Sequence, residues 1–137
     1  MSIQRNQLIQ HNWQGLDGVN QGFAEAYYKK LFELDPTLQS LFPAKMQGQI
    51  DKLNQTMTTL VDAIDQLESM KPSLRALGQK HYFIYFAEKA HYPLFGEALI
   101  ETLKQFSGDS WTDETEQAWR HLYQELVEAM LKGALSF

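Results

Sequence analysis

Cysteine is absent from the 137 residues. This excludes a disulfide framework, a thiolate nucleophile and a zinc–thiolate site. Positive charge is scarce: 12 Lys and Arg stand against 17 Asp and Glu, a formal net charge of −5. Phosphate backbones are gripped by basic faces, so no nucleic-acid partner is expected. No stretch approaches the roughly 20 apolar residues needed to cross a bilayer. The opening Met1-Ser2-Ile3-Gln4-Arg5-Asn6 has no signal-peptide apolar core. A cytoplasmic protein with no membrane role is therefore expected. Low-complexity segments and internal repeats are missing too. The length predicts one domain over 1–137, with no room for an attached reductase.

Aromatic residues are plentiful, with 8 Phe, 6 Tyr and 3 Trp; they suit a large buried surface or a flat aromatic ligand. Glycine and proline punctuate segments of helical period. Ser2 to about Leu16 reads as a polar helix with Ile3, Leu8, Ile9 and Trp13 as its apolar points. From Val19 to Leu34, Phe23, Tyr27, Leu31 and Ala24, Tyr28, Phe32 recur one turn apart. Asp35-Pro36 is a helix-start signal, an N-cap followed by proline in the first turn. Met46 to Leu67 reads as the longest single helix, with Ile50, Leu53, Met57, Leu60, Val61 and Ile64 on one face. Lys71-Pro72-Ser73 opens a further helix carrying Leu74, Leu77 and His81. The periodicity of Tyr82-Phe83-Ile84-Tyr85-Phe86 assigns it no state. Pro93 to Phe106 is helical, with Phe95, Ala98, Leu99 and Leu103 inward. Ser107-Gly108-Asp109 breaks the pattern. Thr112 caps a last helix with acidic residues in its first turns, favouring the positive end of the dipole. Its inward residues are Trp119, Leu122, Tyr123, Leu126 and Met130. The class is all-α, with about six to eight helices.

An all-α chain of this size serves equally as a structural bundle, a peptide-binding module, a metal carrier or a cofactor carrier. Side-chain chemistry narrows the field. The four histidines are His11, His81, His91 and His121. None sits in an H-E-x-x-H pair, no Glu-x-x-His di-iron motif is present, and no Gly-rich phosphate loop appears. No motif suggests a Ser-His-Asp triad. His81 lies on the same face as Leu74 and Leu77, where a lone histidine is more often core than ligand. His11 and His121 have polar helical neighbours, so surface positions are expected for both.

Four blocks change these odds. The first is Tyr28, Phe32 and Asp35-Pro36-Thr37-Leu38-Gln39-Ser40-Leu41-Phe42. The second is Leu77-Gly78-Gln79-Lys80-His81, and the third Tyr92-Pro93-Leu94-Phe95-Gly96-Glu97-Ala98-Leu99. The fourth is Ala118-Trp119 followed by Tyr123. In this order and at close to family spacing, from about Phe23 to Met130, the chain resembles the globin domain of bacterial flavohaemoglobins and the related single-domain bacterial haemoglobins.

That resemblance implies a globin fold enclosing haem b, with His81 as the ligand to iron. Phe42 falls on the phenylalanine that packs on the haem, Tyr28 on the distal tyrosine and Gln49 on the distal polar residue. Leu53 falls on the apolar residue over the iron. Leu77, Tyr92, Phe95 and Leu99 are expected haem neighbours. Lys45, Lys52 and His91 are candidates for the haem carboxylates, with a solvated charge the commoner outcome. The chain departs from the family in three places. The segment from Phe42 to Gln49 is shorter, that from His81 to Tyr92 is about one residue longer, and Ala134 falls where a glutamate meets the proximal histidine. A weaker partner involving Tyr92, or a backbone carbonyl, would then set the basicity of His81.

The function implied is binding of oxygen and other diatomic gases, nitric oxide and carbon monoxide, and oxygen transport. Conversion of nitric oxide to nitrate would need a separate reductase. The alternatives are a gas or redox sensor and a haem-free interaction module. Peroxidase chemistry lacks a distal acid–base histidine.

Overall fold

The computed structural model describes residues 2–16, 20–72 and 92–135. Helix α1 is Ser2–Gln14 and α2 is Asn20–Leu34. A 3₁₀ segment, Pro36–Leu41, leads to α3, Gln47–Asp62. A short 3₁₀ turn, Ile64–Gln66, joins α3 to a helical stretch over residues 67–72, here α4. Helix α5 is Tyr92–Ser107 and α6 is Asp113–Leu135, joined through the 3₁₀ turn Gly108–Ser110. No strand occurs among the described residues. No helix among them is long and apolar enough to cross a membrane.

The predicted punctuation is used. The Asp35 carboxylate accepts from the Thr37 amide at 3.0 Å and from the Thr37 hydroxyl at 2.6 Å, capping the turn that Pro36 opens. Gly108 closes α5 at φ 58°, a left-handed conformation that glycine adopts without strain. The Thr112 hydroxyl accepts from the Thr115 amide at 3.1 Å and caps α6.

One boundary differs. The single helix expected from Met46 to Leu67 is interrupted: α3 ends at Asp62, and Ala63 leaves helical geometry at φ −105°, ψ 18°. A 3₁₀ turn repeats every three residues, so Ile64 and Leu67 stay buried across the break. Hydrophobic periodicity therefore cannot register it. Lys71 and Pro72 fall within α4. Ser73, Leu74 and the rest of the helix expected there lie outside the described residues.

The main core gathers all of α1, α2, α3, α5 and α6. Trp13 meets Phe23 edge-on at 5.2 Å and Trp119 at 6.5 Å, and Phe23 meets Phe106 at 5.8 Å. Buried Asn12 staples three helices. Its Oδ1 accepts from Trp119 Nε1 at 2.9 Å, and its Nδ2 donates to Ser107 Oγ at 2.9 Å. Helix α2 packs closely against α5, with Ala24 and Ala98 fully buried. Beside this core lies a smaller cluster built on Leu31, Leu38 and Ala98, and it carries Tyr28, Phe42 and Phe95 of the candidate site.

Candidate functional site

Helix α2 delivers two consecutive tyrosines. Successive helical residues point about 100° apart, so Tyr27 and Tyr28 leave α2 in different directions. Tyr27 touches both the main core and the smaller cluster, whereas Tyr28 belongs to the smaller one. The capped turn after α2 folds the chain back and brings Phe42 to Tyr28, ring centroids 5.5 Å apart. Phe32 completes the group, stacked on Tyr28 at 6.2 Å and edge-on to Phe42 at 5.5 Å. From α5, Phe95 and Leu94 pack on the same cluster. The Asp35-Pro36 signal thus has a structural purpose: it places an aromatic side chain from beyond α2 onto the face that Tyr28 presents.

The burial pattern is uneven. Leu31, Leu38 and Ala98 at the back of the cluster are at most 1% exposed. Tyr28, Phe32, Phe42, Leu94 and Phe95 in front of them are only half-buried. Helix α3 repeats this along its length: Met57, Leu60 and Val61 are buried, while Gln49, Ile50 and Leu53 one to three turns earlier are half-buried. Large apolar side chains left partly uncovered together are the kind of surface a ligand or partner covers.

Tyrosine hydroxyls divide into committed and uncommitted. Tyr27 Oη donates to the Phe95 carbonyl at 3.2 Å, and Tyr123 Oη donates to the Tyr92 carbonyl at 2.5 Å. Tyr28 has no hydrogen-bond partner among the described residues. Tyr92 Oη is buried and unpartnered, as is Asn54 Oδ1 on α3. Loss of hydration pushes the Tyr28 phenol up to about 12. Burial also raises Tyr27, Tyr92 and Tyr123, with the neighbouring phenols adding to the shift for Tyr27 and Tyr123. All four are neutral hydrogen-bond donors at physiological pH.

Of the residues singled out from sequence, Tyr28, Phe42 and Phe95 share the smaller cluster. Tyr92 joins them through an edge-on contact with Phe95 at 5.7 Å. Leu53 packs on the main core from α3, and Gln49 lies one turn before it on the same helix. Leu99 is buried in the core. Leu77, His81 and His91 lie outside the described residues. Lys45 and Lys52 are exposed, as are His11 and His121. Among the described residues, no three His, Cys, Asp or Glu side chains gather as a metal site.

Sequence reasoning missed the bonds from Tyr27 and Tyr123 to the first turn of α5, and the role of Gly96. A Cβ built on Gly96 would lie 2.5 Å from Tyr123 Cε2, so the glycine makes room for that ring. The adjacent pair Tyr27-Tyr28 was the available signal, since one helix face cannot present both.

A globin family model matches residues 25–130, most of the chain. Among characterised proteins, the neuroglobin of Danio rerio is 26% identical over 140 residues, covering 92% of this chain and 87% of that protein. The flavohemoprotein of Bacillus subtilis strain 168 is 29% identical over 108 residues, 77% of this chain but 27% of the relative. The chain thus spans about a third or less of the flavohemoproteins it matches. Among solved structures, the engineered carbene transferase RmaNOD, from a Rhodothermus marinus protein assigned as a nitric oxide dioxygenase, superposes with TM-score 0.85. It is 25% identical, with 98% of this chain and 93% of that chain covered. A bacterial globin of Campylobacter jejuni shares the fold at TM-score 0.80 and 19% identity. The six α-helices described, the half-covered aromatic cluster and the family match across residues 25–130 agree: the chain belongs to the globin family.

Proposed function

We propose that this globin carries haem b, with His81 as its iron ligand, and binds oxygen, nitric oxide and carbon monoxide. The observation that carries this reading is Tyr28. It is a neutral phenol in an aromatic, half-covered cluster, with its hydroxyl committed to no described residue. The residues fit the cofactor. Phe42 and Phe95 offer aromatic and apolar contact to a planar macrocycle, joined in this role by Leu53 and Leu77. The buried, unpartnered Tyr92 hydroxyl offers a hydrogen bond to a group the described residues do not supply.

When bound, haem supplies an iron with one open position for a diatomic gas. The protein's contribution is polar and steric. Tyr28 donates a hydrogen bond toward the negative end of a polarised gas, and its elevated pKa keeps the proton in place throughout the physiological range. Gln49 adds an amide donor from α3. Phe42 and Leu53 exclude water, which lowers the local dielectric and strengthens both bonds. With alanine at 134 in place of a carboxylate, the unpartnered Tyr92 hydroxyl or a backbone carbonyl would orient the imidazole of His81.

Turnover of nitric oxide to nitrate is the further activity proposed, supported by the flavohemoprotein relatives and the RmaNOD neighbour. Nitric oxide, oxygen and one electron sum to nitrate, so sustained turnover requires a reductase partner.

The test is an optical spectrum of haem-loaded protein, taken ferric, then reduced, then re-aerated. A five-coordinate ferrous form that converts to a long-lived oxygenated one is expected, and His81→Ala abolishes it. Tyr28→Phe removes one hydrogen bond worth about 1–2 kcal/mol in a dry pocket, so oxygen leaves about 5- to 30-fold faster. Absence of haem uptake by the wild-type chain overturns the reading.

A further inference from the structure

Two of the protein's tyrosines spend their hydroxyls on carbonyls in one helical turn. Tyr27 reaches the Phe95 carbonyl from α2, and Tyr123 reaches the Tyr92 carbonyl from α6. Tyr92 and Phe95 belong to the first turn of α5, and their rings meet at 5.7 Å. A helix already satisfies most of its carbonyls internally, so an added phenol donor fixes position more than it satisfies an orphan. The Tyr27 bond also bridges α2 and α5, which pack against each other. It sits one residue before Tyr28, whose ring lies 5.3 Å from that of Tyr27. Moving Tyr27 therefore moves the neighbouring Tyr28 relative to Phe95.

We propose that Tyr27 is a positioning residue: its hydroxyl ties α2 to the first turn of α5 and so sets the placement of Tyr28 against Phe95. It touches neither gas nor cofactor and acts through Tyr28. This role presupposes the haem reading above. The Tyr28 hydroxyl, uncommitted to any described residue, depends on its backbone and ring contacts for its aim. A hydrogen bond loses strength steeply as it lengthens or bends. Slackening α2 against α5 therefore weakens the donor without removing it.

The decisive variant is Tyr27→Phe, which keeps the buried ring and its packing and deletes one hydroxyl. Two readouts separate the positioning role from the haem reading. Hydrogen exchange of the amides at residues 96–99 of haem-free protein reports the tie itself, and about fivefold faster exchange is expected. Oxygen release from haem-loaded protein is then measured in the Tyr28 and Tyr28→Phe backgrounds. With Tyr28 present, Tyr27→Phe speeds release by about 3- to 10-fold; with Tyr28→Phe, the added change falls below about 1.5-fold. Equal fold-changes in both backgrounds, or no change in either, overturn the positioning role. Unchanged exchange with unchanged release removes the tie as well. Faster exchange in Tyr27→Phe, together with no haem uptake by the wild-type chain, overturns the haem reading and the role built on it, while the α2–α5 tie survives.

Discussion

Replacing Gly96 by alanine probes how α6 holds the first turn of α5. The added methyl would lie 2.5 Å from Tyr123 Cε2, 2.9 Å from Cδ2 and 3.1 Å from Cζ, well short of the carbon–carbon contact distance of about 3.5–4.0 Å. Either α5 and α6 spread or the ring turns away. Overpacking of this kind costs about 1–3 kcal/mol. Displacing the ring also breaks the Tyr123–Tyr92 hydrogen bond, a loss of about 1 kcal/mol. Against this, alanine improves helix propensity by about 1 kcal/mol. The net expectation is destabilisation by about 1–3 kcal/mol, or a fall in Tm of about 3–12 °C for a chain of this length. Urea unfolding followed by circular dichroism reads it as a lower midpoint at unchanged slope. A double-variant cycle isolates the cause: with Tyr123→Ala already made, Gly96→Ala should stabilise by about 1 kcal/mol, because only the propensity gain remains. Stabilisation of the otherwise wild-type protein by Gly96→Ala refutes the packing described for Tyr123.

Asn12→Ala strands the Trp119 indole N–H in the core and should cost about 2–3 kcal/mol in urea unfolding; a loss under about 0.5 kcal/mol would mean that water replaces the amide. Asn54→Leu removes an unpartnered buried carbonyl oxygen and should stabilise the haem-free protein by about 1 kcal/mol, so a loss of stability would reveal a partner for that oxygen. The Tyr28 phenol is raised from 10.0 to about 12, and Tyr27 is raised as well, so above pH 10 the unfolded chain binds fewer protons than the folded one. Stability is therefore full below about pH 10 and falls as pH rises toward about 12. Phenolate absorbance from these residues should appear together with loss of helix, and its appearance in an intact fold would contradict their burial.

Much of the architecture was legible in the sequence because helical period and caps are local properties. Asp35-Pro36, Gly108 and Thr112 each act where their chemistry predicts, since a cap needs only its own carboxylate, φ angle or hydroxyl. The all-α class and the inward Ala98, Leu99 and Leu103 of α5 and Trp119 and Leu122 of α6 follow from spacing alone, while the Met130 side chain lies outside what is described. The candidate residues came from the order of four blocks along the chain, and the structure brings Tyr28, Phe42 and Phe95 into one cluster. What the tertiary structure alone decided depends on meetings between distant segments. The break at Ala63 is silent in the pattern, because a 3₁₀ turn preserves the spacing that reports a helix. That Tyr27 serves the Phe95 carbonyl while Tyr28 stays uncommitted was set by the crossing of α2 over α5. Gly96 is a glycine because of a ring on α6, and Asn12 is satisfied in the core only where α5 and α6 converge on α1. Such partners lie many residues apart, and only the packed chain brings their atoms within bonding range.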